Sequence, residues 1–184
     1  GKEAATAKLS EDGVQEINQD METTVDELIR QFEDTLSEEG YHGLHVSQEV
    51  VTDNAQYYTV KLSVLETEAS GYEHNQFYTI DKQTGNVVAL ADLFAEGSNY
   101  ISVISENIKT QMREQMVADE DVIYFLDDED MTEFNFQSIT EQTNFYFNES
   151  GELVIAFDEY EVAPGYMGAP EFVIPQKVTA GLLK

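Results

Sequence analysis

The apolar residues of this chain change their spacing four times, and that order of periods bounds what it can fold into. Val14, Ile17, Met21, Val25, Leu28, Phe32 and Leu36 recur at steps of three and four, the stripe of a long amphipathic helix. Ser10 stands where an N-cap belongs and Gly40 where a stop belongs, while Gly13 weakens the first turn. The step then falls to two. Tyr58, Val60, Leu62 and Val64 alternate with Tyr57, Thr59, Lys61 and Ser63, the pattern of a half-buried strand. Gly43 to Val51 is a weaker strand candidate. Phe77 to Asp81 runs into the turn Lys82-Gln83-Thr84-Gly85 and returns as Asn86 to Leu90, a hairpin.

Helical spacing comes back between about Ser98 and Val117, with Ile101, Ile104, Ile108, Met112 and Met116 as its stripe. Thr143 to Asn148 and Leu153 to Phe157 read as a second hairpin around Glu149-Ser150-Gly151-Glu152, followed by a short strand, Phe172 to Ile174. Pro175 opens a terminal helix carrying Val178, Leu182 and Leu183. Helices segregated from runs of strands predict an α+β fold: a mostly antiparallel sheet packed against two long helices, with a short C-terminal helix. A soft boundary at Ala91 to Phe94 suggests a flexible segment over 1–9, an N-terminal lobe over 10–91 and a C-terminal lobe over 92–184. The two lobes are expected to form one compact, monomeric unit.

Charge excludes several functions. The 184 residues carry 37 acids and 9 bases, a formal net charge of -28. No phosphate backbone could be neutralised, so nucleic acid is excluded as a partner, and an anionic membrane surface is disfavoured. A cationic protein is the natural complement. The acids concentrate in residues 1–50 and 101–150, and most sharply between Asp119 and Glu133, with eight acids and no base. Two readings of Asp127, Asp128, Glu129 and Asp130 stand side by side: a solvated face, or a surface that steers a basic protein.

Little in the chain points to catalysis. There is no Cys, so thiol chemistry, disulfides and cysteine metal sites are absent. His42, His45 and His74 lack the further ligands a zinc site needs. Asp127 to Glu133 matches a calcium loop in composition only, without its central glycine or ligand spacing. No nucleophile elbow or phosphate loop occurs. Asn148-Glu149-Ser150 is a glycosylation sequon by chance in a hairpin turn. The expectation is a non-enzyme with no metal and no cofactor. No apolar run approaches the roughly 20 residues that span a bilayer. The start at Gly1, with no signal peptide, suggests a fragment of something longer whose targeting segment has been cut away.

One stretch stands apart. All three prolines, Pro164, Pro170 and Pro175, fall near the C-terminus, and Gly165 and Gly168 lie between the first two. Pro164-Gly165 predicts a type II turn with glycine in the left-handed region. Such a turn would push Tyr166 and Met167 outward on a stiff loop, as binding anchors, or fold both back onto the core. A second loop, Glu68 to Asn75, holds Ser70, Gly71 and Tyr72 between two strands.

Three stretches carry a resemblance: Phe77-Tyr78-Thr79-Ile80-Asp81-Lys82, Tyr100 to Lys109, and above all Phe157-Asp158-Glu159-Tyr160-Glu161-Val162-Ala163-Pro164-Gly165-Tyr166-Met167-Gly168. From about Ser10 to Leu183 the chain resembles the extracytoplasmic domain of the lysozyme-sensing anti-sigma factors. The wider family includes an accessory domain of a polysaccharide deacetylase, so a glycan-binding wall module is the alternative reading. The resemblance implies a cytoplasmic sigma-binding segment and one membrane helix before this domain, which would lie on the outer face of the bacterial membrane. It implies that c-type lysozyme binds the domain, that signal peptidase and an intramembrane protease then act, and that the sigma factor is freed. Lysozyme contacts carry over to Pro164 and Tyr166, and to Ser70 or Gly71 in a loop that here has one extra residue before Phe77. The sigma-binding and protease-sensitive segments lie outside these residues. The sharper expectation is that the loops enter the lysozyme cleft and inhibit it.

Overall fold

The first helix, α1 (Glu11–Glu38), lays Val25, Leu28, Phe32 and Leu36 against a sheet, as the stripe requires. The structure, a computed structural model, describes residues 11–38, 46–65 and 73–184. The cap at Ser10, the stop at Gly40, His42, His45 and the loop residues Ser70, Gly71 and Tyr72 lie outside the described residues, as do the side chains of Val14 and Ile17.

The sheet under α1 has the order β1-β2-β3-β4, all antiparallel, from β1 (Val46–Asp53), β2 (Tyr57–Leu65), β3 (Glu73–Asp81) and β4 (Val87–Val88). Period two sorts its faces. Val60, Leu62, Val64 and Ile80 face α1 and form one buried cluster with its stripe. Tyr57, Thr59, Phe77 and Thr79 face the other way, and the hydroxyls of Thr59 and Thr79 share a buried hydrogen bond of 2.7 Å. A bulge between Val50 and Thr52 switches β1 from one face to the other. Val50 stays 49% exposed on the α1 side, whereas Thr52 is buried on the opposite side.

The hairpin after β3 is shorter than its sequence suggests. Gly85 takes φ 74 in the turn, but the returning strand ends after Val88, because Leu90 drops into a 3-10 turn, Leu90–Leu93, that buries both its leucines.

A second helix, α2 (Tyr100–Ala118), buries Ile104, Ile108 and Met112, with Ile101 and Met116 half-buried at the edges of the same stripe. It covers a separate sheet of order β5-β6-β7, again antiparallel: β5 (Phe145–Phe147), β6 (Leu153–Ala156) and β7 (Glu171–Ile174). The central β6 is buried at every residue, as a strand covered on both faces must be. The α+β class with antiparallel pairing holds, but the strands divide between two sheets. The C-terminal helix α3 (Gln176–Thr179) is a single turn opened by Pro175. Leu182 and Leu183 lie beyond it rather than on it. Leu183 instead bridges to Phe94, and the Lys184 N–H donates to the Leu93 carbonyl at 3.0 Å, so the chain end closes as an extended strap.

The two sheets meet at β5. The Thr52 hydroxyl donates to the Phe147 carbonyl at 2.7 Å, and the Phe147 N–H donates back to the same oxygen at 3.2 Å. Asn144 accepts from the Gln76 amide and the Phe77 N–H through one oxygen. Tyr57 stacks on Phe147 and Phe77 on Tyr146, with centroids 5.3 and 5.6 Å apart. The bulge is what brings Thr52 to this seam.

Ile108 is fully buried in the second core, so Ile108→Ala should cost about 2–5 kcal/mol in urea unfolding. Val117, 89% exposed on the same helix, should tolerate alanine within about 0.5 kcal/mol.

Candidate functional site

Two irregular segments, 119–135 and 158–170, run side by side at one end of the second sheet. The first follows α2, where the acidic run ends the helical spacing. Within it the apolar residues alternate without belonging to a sheet: Tyr124 and Leu126 point into the core, while Ile123 is 45% exposed and Phe125 half-buried. The Phe125 N–H donates to the Val162 carbonyl at 2.8 Å, and its own carbonyl accepts from Phe136 at 2.7 Å, which ties the segment on both sides.

The acidic turn is built by its own carboxylates. One oxygen of Asp128 accepts from the N–H groups of Asp130 and Met131. The Asn135 side chain accepts from the Asp128 N–H and donates to the Asp128 carbonyl. Asp127 sits at φ 60, a conformation that Asp tolerates better than most residues. It also makes a two-pronged contact with Arg113 of α2, at 2.9 and 3.3 Å. That contact divides the four acids expected to steer a partner: the charge of Asp127 is offset. Among the described residues, no Lys or Arg pairs with Asp128, Glu129 or Asp130.

The Pro-Gly segment departs from the expected turn. Pro164 has φ -60 and ψ 157, but Gly165 is not left-handed. It begins a 3-10 turn, Gly165–Met167, and Gly168 takes the positive φ of 71. Glycine is needed at 165 for another reason. A Cβ there would lie 2.5 Å from the Tyr160 ring, which packs against the backbone. Tyr166 and Met167 also part company. Tyr166 is 66% exposed, and its hydroxyl donates to the Asp121 carbonyl at 2.9 Å. Met167 is half-buried against the second core, so it turns back rather than outward. The Asp121 contact joins the outward ring directly to the acidic segment.

Behind the loop, Asp158 accepts from the Asn75 N–H and lies 2.9 Å from Nδ1 of His74, and the Asp158 N–H donates to Glu161. The His74 ring stacks on Phe32 of α1, with centroids 5.8 Å apart. His74 is therefore a link between α1, β3 and the segment leading to Pro164. Among the described residues, no group of three or more His, Asp or Glu side chains is arranged to hold a metal ion, and no helix is long and apolar enough to cross a membrane.

Residues 91–177 match the family described as a protein of unknown function, DUF3298. The Anti-sigma-V factor RsiV of Bacillus subtilis (strain 168) is 39% identical over 176 residues, covering 90% of this chain. The chain is an RsiV-like domain. It spans 61% of that relative's length. A crystal structure of a DUF3298 family protein from Pseudomonas aeruginosa PAO1 superposes with a TM-score of 0.58 at 20% identity, over 83% of this chain and 68% of that one. A second, from Bacteroides fragilis NCTC 9343, gives 0.53 at 16% identity, over 94% and 67%. These two share the fold.

The hydrogen bonds and charge of Arg113 hold the Asp127 carboxyl below its ordinary value. A lowered folded-state value means that Asp127 supports the fold above the unfolded carboxylate range and loses that support as pH falls through its own titration. Side-chain carbon NMR should find Asp127 titrating below the ordinary value of a free aspartate, and Arg113→Gln should return it towards that value. Gly165→Ala should displace the half-exposed Tyr160 ring, visible as a shifted Tyr160 NMR resonance. An unchanged resonance would mean that the glycine matters for something else.

Proposed function

We propose that this chain is the outer, partner-sensing domain of a membrane-anchored anti-sigma factor, that it has no catalysis of its own, and that its partner is a cationic c-type lysozyme. The RsiV relative supports the anti-sigma role. One observation carries the rest of the reading: an aromatic side chain two-thirds exposed and tied by its hydroxyl to the most acidic stretch of the chain. Tyr166 is thus held ready as a contact residue. Ordering it beforehand reduces the entropy lost on binding, and tyrosine is a common anchor at the centre of protein interfaces.

Asp128, Glu129 and Asp130, together with the overall charge of -28, raise the encounter rate with a basic protein. Pro164 fixes the entry to the turn. Ser70, Gly71 and Tyr72 are proposed as a second contact. The lobes over 10–91 and 92–184 are taken to act as one monomeric unit, in keeping with the seam at β5. In the full protein, on the outer face of the membrane, lysozyme binding would expose a site for signal peptidase. Intramembrane proteolysis would then release the sigma factor. The bound lysozyme is proposed to be inhibited.

Titrating the chain with a c-type lysozyme tests this directly. Binding is expected, with an association rate that falls as salt rises. Tyr166→Ala should raise the dissociation rate on the order of tenfold or more, and Pro164→Ala by less. No binding at moderate salt would sink the reading, and peptidoglycan pull-down without lysozyme binding would favour the glycan-binding module. Binding that left cell-wall hydrolysis untouched would remove the inhibition claim alone.

A further inference from the structure

The two segments around Tyr166 enclose a groove of 360 Å³ whose walls are mostly apolar. Ile123, Phe125, Met131, Phe134 and Tyr160 line it, and Ile123, Met131, Phe134 and Tyr160 are each about half exposed. A folded chain with this much charge has no shortage of polar residues for its surface, so four large apolar side chains meeting at one place is an unusual use of it. Nor are they loosely placed. Phe125 and Phe134 pack with centroids 6.5 Å apart, and the Asp128 carboxylate fastens the backbone of Met131. Asn135 clasps Asp128 from the other side of the turn.

The groove adjoins Tyr166 at both of its walls. Ile123 stands two residues from Asp121, which accepts the Tyr166 hydroxyl. Tyr160 packs against Gly165, the residue before Tyr166. Asp128 lines the groove, and Glu129, Asp130 and Glu133 follow within five residues along the same exposed stretch, with no base in the sequence between Asp119 and Glu133. An apolar floor inside an acidic rim is complementary to one kind of protein surface, a bulky apolar side chain flanked by Lys or Arg.

We infer that this groove is a second docking pocket, taking a large apolar side chain of the cationic partner beside the Tyr166 contact. It rests on the reading of a lysozyme-type partner given above. The groove supplies what charge cannot, a contact whose strength depends on shape and survives added salt.

The test compares five variants of the whole chain, the fifth being Tyr166→Ala, for binding to a c-type lysozyme at low and high salt, with far-UV circular dichroism and melting temperature as fold controls. Phe134→Ala and Ile123→Ala should each weaken binding on the order of tenfold through faster dissociation, by the same factor at both salts, and Phe134→Leu should recover most of the loss. Met131→Ala, on an exposed turn, stands in should either alanine variant melt early. If the unaltered chain binds and Tyr166→Ala weakens it while the groove variants bind normally, the groove inference is overturned and the partner reading stands. If the unaltered chain does not bind, both fall. If the free chain sediments as a dimer that the groove variants dissociate without change in lysozyme binding, the groove belongs to self-association and the inference is likewise overturned.

Discussion

A chain with 28 surplus negative charges repels itself, and the fold depends on keeping every stretch of that charge in water while closing two apolar cores beneath it. The helices do this by their periodicity. Along α1, the buried Val25, Leu28, Phe32 and Leu36 alternate with exposed Glu22, Asp26, Glu27, Glu33 and Asp34, so one face repels its neighbours and the other is drawn inward. Where the acids are too dense for a helix to present on one side, after Ala118, the backbone leaves regular structure. Asp128 and Asn135 then satisfy the freed N–H groups.

The periodic elements were open to reading because burial imposes its spacing directly on sequence. Ile104, Ile108 and Met112 fall inward as their steps require, and Val60, Leu62 and Val64 share one face of β2. What spacing could not convey was the partition of strands. Nothing in Tyr146 or Phe147 distinguishes a strand that continues the first sheet from one that lies against its face. The distinction depends on Thr52, whose orientation is set by a bulge with no glycine to mark it.

The site was legible in one half. Of the two placements that Pro164-Gly165 left open, Tyr166 takes the outward one and Met167 the inward one, but the glycine's role was not readable, since its need comes from Tyr160, five residues away and folded against it. The other half lies in the sequence as a weaker signal. In the stretch from Asp121 to Phe136, the acids mask an alternation in which Tyr124 and Leu126 go in and Ile123 stays out, followed by Met131 and Phe134 with no core to reach. Large apolar residues embedded in a run of carboxylates, too few to make an element of their own, are the pattern a groove of this kind leaves in a sequence.

Range decides how the two halves would divide the work of recognition. Between exposed charges, interaction fades over about 8 Å at physiological salt, so acids spread along α1 and the loops set a field that any basic protein feels and none is singled out by. Discrimination has to come from atoms in contact, and contacts contribute most when they are already in place. The Tyr166 hydroxyl held by Asp121 and the Arg113 grip on Asp127 fix two side chains in the free chain, and the Asp128 and Asn135 clasp fixes the backbone of the turn that carries Met131. Each rotamer-rich side chain ordered in advance avoids about 0.5–1.5 kcal/mol at association. Arg113 illustrates the exchange: its pairing with Asp127 offsets one negative charge and fastens the acidic turn to α2, so on the proposed reading field strength would be given up for a fixed geometry.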